Sequence, residues 1–290
     1  MSGTTSNDNY YIPDSSPWPI IGMVSLLTTL IGLALFMNGV SVGKWVMIAG
    51  LLLFVFLLYS WFRDVIDENL NDKYNKQVDT SFRMGMFWFI ASEVFFFLTF
   101  FGALFYIRTI ALPWLGGEGY LGETRALLYP DFDPTWPSQG PGEMGGEMSP
   151  MGPWGIPAIN TLLLLSSGAT ITWAHWGLKV DNNKQLVNGL IATIVLGLLF
   201  VVFQVWEYGH AYAELNLTLG SGVYGSTFYM LTGFHGFHVT MGAIMLIAIL
   251  GRAMKRHFSA HNHFAFEAVA WYWHFVDVVW LGLFVFVYWL

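Results

Sequence analysis

Residues 84–108 read MGMFWFIASEVFFFLTFFGALFYIR, and Glu93 is the only charge between Arg83 and Arg108. At ~1.5 Å of rise per residue, a helix of this length covers ~37 Å, enough to cross a hydrocarbon core of ~30 Å with some tilt. Glu93 lies ten residues from Arg83, which puts it ~15 Å deep and near the bilayer midplane. An acid there costs at least ~2.5 kcal/mol on insertion scales, so it marks either a functional site or a carboxyl hydrogen-bonded to a neighbouring helix. Both readings require a partner from another span.

Composition sets the class. Of 290 residues, 55% are hydrophobic, 18% aromatic and only 11% charged, whereas a soluble domain carries ~25% charge. The chain is read as an all-α integral membrane protein. A net charge of −7 excludes a basic nucleic-acid surface, so no nucleic-acid partner is expected. The chain has no cysteine, which removes disulfides, thiolate metal sites and thiol nucleophiles and leaves histidine and carboxylate as the strong metal ligands. The polar N-terminal stretch MSGTTSNDNYYIPDSSP resembles neither a cleaved signal nor an Arg-rich transit peptide.

Working outward from the Glu93 helix, seven apolar spans are expected: 18–37, 45–61, 84–108, 156–178, 186–208, 223–250 and 264–290. These divide into a polar segment at 1–16, a two-helix hairpin at 17–62 and a five-helix bundle at 84–290. The Gly- and Pro-rich stretch 109–155 is read as an irregular extramembrane insert with a lid-like role. Tryptophan and tyrosine gather at span ends (Trp18, Trp45, Trp61, Trp206, Tyr208, Tyr288), as interfacial belts require. Nine of the 12 Lys and Arg residues fall on the face shared by the N-terminus and the loops after spans two, four and six. The positive-inside rule then puts the N-terminus in the cytoplasm or matrix and the C-terminus outside. With no presequence in view, a bacterial inner membrane is the expected location, ahead of the mitochondrial inner membrane.

Other polar residues cluster on the later spans. In the fourth, Asn160, Thr161, Ser166, Ser167, Thr170 and Thr172 mingle with Gly168 and Ala169, the pattern of close helix packing with interhelical hydrogen bonds. Glu207, near the outer end of the fifth, is expected to be hydrated. His235 and His238 stand three apart on the sixth, and Glu267, Trp271 and His274 follow one face of the seventh, with Asp277 a turn beyond. These histidines and carboxylates suit haem, copper or di-iron, or else form a hydrogen-bonded network between helices. Carboxylate-rich di-iron bundles carry paired E-x-x-H motifs, and here Glu207–His210 is the one such spacing, at a span end. A structural network of His235, His238, Glu267, His274 and Asp277 is therefore preferred, with no metal. On the inner face, Trp61, Arg63 and Asp64 close span two, while Arg252, Lys255, Arg256 and His257 close span six. These are ordinary topology residues or guanidinium groups able to grip lipid phosphate.

Four long motifs, MGMFWFIASEVFFFLTFF, INTLLLLSSGATITWAH, SGVYGSTFYMLTGFHGFHV and HFAFEAVAWYWHFVDVVWL, with WFRDV as a fifth, resemble segments of cytochrome c oxidase subunit III. The resemblance covers roughly residues 17–110 and 153–290 and departs from the family in the Gly/Met/Glu-rich insert at 116–151. It implies a non-catalytic subunit without haem or copper, those centres lying in subunits I and II of a proton-pumping haem-copper oxidase fed by cytochrome c. It also implies that the two N-terminal and five C-terminal helices form a V-shaped cleft holding phospholipids against subunit I. The cleft's lipid-contacting residues carry over to Trp61, Arg63, Arg252, His257 and Phe258, and the family's intramembrane carboxylate to Glu93, beside the path thought to admit dioxygen. Fast proton uptake and protection of subunit I from turnover inactivation are implied too. The alternatives are the same subunit of a quinol oxidase, a stand-alone metal-dependent oxidoreductase built on the histidines, and a proton-coupled transporter using Glu93. Inverted repeats, which would favour the transporter, are not visible.

Overall fold

The computed structural model describes residues 11, 15–119, 122–142 and 146–290. It is 77% helical, and among the described residues there is no strand. The long helices are α1 (Trp18–Met37), α2 (Gly43–Leu70), α3 (Lys76–Tyr106), α6 (Ile156–Lys179), α7 (Asn183–Glu214), α8 (Gly222–Met254) and α9 (Phe264–Leu283). Short helices α4 (Leu112–Leu115) and α5 (Gly122–Leu128) follow α3, and π-helical turns occupy Ile107–Ala111 and Phe284–Trp289. Seven helical stretches are long and apolar enough to cross a membrane.

The boundaries follow local chemistry. Pro19 and Pro157 sit in the first turns of α1 and α6, where the missing N–H has no helical acceptor to lose. Asn182 caps α7, its side-chain oxygen accepting from the Gln185 N–H at 3.2 Å. Several helices outrun the apolar stretches that predict them. The second continues to Leu70, the third from Lys76 to Leu115, and the fifth to Glu214. Helical hydrogen bonding is internal to the chain and does not stop where the hydrocarbon does. Thr109–Leu115, expected in the irregular insert, is thus helix. The π turn there has a cause in Pro113, whose ring would clash with the Thr109 carbonyl in a regular α-helix. The Leu112 N–H instead reaches back to the Ile107 carbonyl, opening the turn.

The chain divides into two compact units, up to Phe82 and Arg83–Leu290. The first is held by glycine. A Cβ on Gly32 would lie 2.2 Å from the Met47 nitrogen, one on Gly43 2.3 Å from the Phe36 nitrogen, and one on Gly50 2.4 Å from Thr29 Oγ1. The backbones of α1 and α2 therefore touch, the small-residue packing expected where no hydrophobic effect drives helices together. Trp18 Nε1 donates to Asp64 at 2.9 Å, tying the start of α1 to α2. Tyr74 donates to Glu68 at 2.6 Å, and burial, reinforced by that carboxylate, pushes its hydroxyl far above the ordinary phenol range.

The second unit is built around Trp273. The glycines at 197 and 242 make room for its indole. A Cβ on either would stand 2.6 or 2.8 Å from ring atoms, and the indole N–H donates to Ser167 at 2.8 Å. Trp280 donates to Thr161 at 2.9 Å, and Thr170 and Thr193 share a 2.8 Å bond between α6 and α7. The hydroxyls of the fourth span thus bond across helices. The insert is not a free loop. Its Ser138 and Gln139 carbonyls accept from the Tyr224 and Val223 N–H groups at the start of α8, and Trp136 meets the Tyr224 ring edge-on at 5.5 Å. Gly222, at φ 75°, is required where Gln139 presses on it, since a Cβ would lie 2.1 Å from the Gln139 carbonyl oxygen.

Candidate functional site

Glu93 finds its partner on α8, with Oε2 2.9 Å from His238 Nε2. The other ring nitrogen, Nδ1, lies 2.6 Å from the Phe234 carbonyl, which can only accept, so Nδ1 carries a hydrogen. One further proton then joins Nε2 to the carboxyl, on either side of the bond, because two bare acceptors would repel at that distance. Phe96, Phe97 and Phe237 ring the imidazole with centroids 5.0–5.8 Å away. The Phe-rich run of α3 supplies two of these rings. Alongside, Phe87, Ile90, Ala91, Val94, Phe95 and Trp271 line an almost wholly apolar groove of about 530 Å³.

The remaining histidines and carboxylates from the sequence reading fall into separate groups. His235 is fully buried, with Nε2 3.1 Å from the Val276 carbonyl and its ring between Phe200 and Trp280. His274 lies 3.8 Å from Asp277 and 3.4 Å from the Thr172 hydroxyl, and Asp277 packs so close to α6 that a Cβ on Gly168 would meet its Oδ2 at 2.5 Å. Glu267 belongs to a third set with Arg83, His175 and His263. Arg83 and His175 were missed as its partners. The His263-x-x-x-Glu267 spacing was the available signal, while the other two come from distant spans. Glu207 corrects an expectation. It is fully buried rather than hydrated and accepts from the Tyr288 hydroxyl at 2.6 Å. Since α7 runs on to Glu214, Glu207 is two turns inside the helix.

At the end of α8, the Arg252 guanidinium stacks over the Phe258 ring at 4.6 Å. The chain turns there through Arg256 at φ 56°, and the His257 N–H bonds the Arg252 carbonyl at 3.1 Å. In the first unit, Trp61 is half exposed, and Arg63 Nε lies 3.9 Å from Asp67 one turn on, both side chains open to solvent.

Seven helices long and apolar enough to cross a membrane define a polytopic α-helical membrane protein. The sequence profile of the family described as Cytochrome c oxidase subunit III matches residues 8–118 and 130–290. Cytochrome c oxidase subunit 3 of the carp Cyprinus carpio is 41% identical over 281 residues, spanning 97% of this chain and 96% of its own. The corresponding proteins of the quail Coturnix japonica and the liverwort Marchantia polymorpha are 39% and 41% identical, each over 97% of this chain and 97% and 96% of their own. This chain belongs to the cytochrome c oxidase subunit III family. Membership makes it a subunit of a haem-copper oxidase in aerobic respiration, in complex with other oxidase subunits and from a family without redox centres of its own. The quinol-oxidase and stand-alone metalloenzyme readings are not favoured.

The relatives also correct the expected location. They come from fish, bird and plant, which points to the inner mitochondrial membrane rather than a bacterial one.

Proposed function

We propose that this chain acts without redox chemistry of its own, as a lipid-bearing support for subunits I and II of an oxidase that takes electrons from cytochrome c. The observation that carries it is the Glu93–His238 pair beside an apolar, aromatic-walled groove. Dioxygen is apolar and partitions into hydrocarbon, so such a groove, filled by acyl chains, offers it a dry approach to the catalytic subunit. Glu93 fixes α3 to α8 beside that approach. Arg252 over Phe258 in one unit, with His257 following, and Trp61 with Arg63 in the other, are suited to phospholipid head groups. Guanidinium binds phosphate through paired hydrogen bonds, and the aromatic faces seat the glycerol and acyl region. His235, His238, Glu267, His274 and Asp277 serve to join helices.

Measuring the oxygen KM and the rate of turnover inactivation of the oxidase carrying Glu93→Gln tests this reading. A raised KM or faster inactivation is expected. Unchanged values would make Glu93 a purely structural group.

A further inference from the structure

The set around Glu267 has more coordinating power than a salt bridge needs. His175 stands near the end of α6, His263 immediately precedes α9, and Glu267 lies in the first turn of α9. Glu267 Oε1 is 3.3 Å from His263 Nε2 and 3.6 Å from His175 Nε2. All three donor atoms lie within 4.8 Å of one another. A tetrahedral ion with bonds of ~2.0–2.1 Å has ligand–ligand edges of ~3.3–3.4 Å, which the two contacts to Oε1 approach. Both Nε2 atoms are buried and accept no hydrogen bond. His263 Nδ1 lies 3.0 Å from the Ser259 carbonyl, so the hydrogen sits on Nδ1 and the lone pair on Nε2 points into the cluster, the outer-shell arrangement typical of metal-binding imidazole. Arg83 bonds Oε2 of the same carboxylate, leaving Oε1 to the two imidazoles. The Phe266 ring packs against His175 at 5.3 Å, and Phe264 lies under the Arg83 guanidinium at 5.2 Å. The cations facing the cluster are Arg83 and Lys179, one turn beyond His175.

We infer that His175, His263 and Glu267 form a binding site for a divalent, redox-inactive transition-metal ion, Zn²⁺ by chemistry, with a fourth position open to water. Two imidazoles and one carboxylate are a donor set that zinc accepts. Bound there, the ion staples the end of α6 to the start of α9. Its role is mechanical.

The test uses the assembled oxidase, equilibrated with micromolar Zn²⁺, washed with a weak chelator, and analysed for zinc and haem by elemental and optical measurement. His175→Gln and His263→Gln are expected to carry one equivalent of zinc fewer per complex than wild type at equal haem content. Equal zinc in all three would overturn the site. Should either variant fail to assemble, hydrogen exchange of the wild-type complex with and without Zn²⁺ decides. Slowed exchange in segments 176–182 and 257–264 supports the staple, and unchanged exchange there rejects it.

Discussion

His238 holds more of the interior together than its single bond to Glu93 suggests, since its second nitrogen is already committed to the Phe234 carbonyl. In His238→Leu the Glu93 carboxyl loses its 2.9 Å partner, and a polar group left unmet away from water costs about 1–3 kcal/mol. Glu93→Gln retains a donor for Nε2 and is expected to cost less. Thermal unfolding of the assembled oxidase should rank the two, with the leucine variant melting lower. If glutamine proves the worse substitution, the bond is not what stabilises the site. Glu93 was legible in the sequence as an acid at bilayer depth, because depth follows from counting residues along one helix. Its partner, 145 positions away, was not, since spacing within a span gives a helix face and not the neighbour it meets. The same limit explains why His235, His238, His274 and Asp277 read as one cluster when His235 meets the Val276 carbonyl, His238 meets Glu93, and only His274 and Asp277 meet each other. Glu207 was misplaced because apolar residues mark the hydrocarbon and not the end of the helix.

At the scale of elements, glycine decides which helices can touch. A methyl group on Gly197 or Gly242 would enter the Trp273 ring, and overpacking of this kind costs about 1–3 kcal/mol. Gly197→Ala is expected to lower the melting temperature of the complex and to loosen the Trp273–Ser167 bond. Gly236→Ala, at a glycine whose Cβ would meet nothing within 4 Å, is the control and should be neutral. Equal effects would mean that the indole has room to move. The seven spans themselves were plain from hydropathy. The π turn at Ile107–Ala111 and the docking of the insert on α8 were not. The first depends on where a proline ring meets a carbonyl, and the second on backbone groups that no side-chain pattern reports.

For the whole molecule, only 11% of the most apolar window in each of the first three spans is buried, against 50% in the last. Large apolar faces of α1, α2 and α3 are thus left for lipid or for other subunits. The absence of cysteine allows single cysteines to report sidedness. Leu127→Cys, on the exposed insert, should react with an impermeant maleimide from the outer, intermembrane side, and Lys184→Cys, exposed in the first turn of α7, only after the inner membrane is opened. The reverse pattern would overturn the orientation drawn from the Lys and Arg count.

The glycine seam of α1 and α2 also bears on biogenesis. Its contacts join Thr29 to Gly50, Gly32 to Met47 and Phe36 to Gly43, pairs that are neighbours in synthesis as well as in space. The hairpin therefore contains all that its own seam needs once the second span has entered the bilayer, before the first residue of the five-helix bundle is inserted. Assembly intermediates arrested after residue 82 should hold a closed pair of helices, and a bulky residue at Gly32 or Gly50 should act at that early step, as a chain cleared by quality control rather than as a slow oxidase.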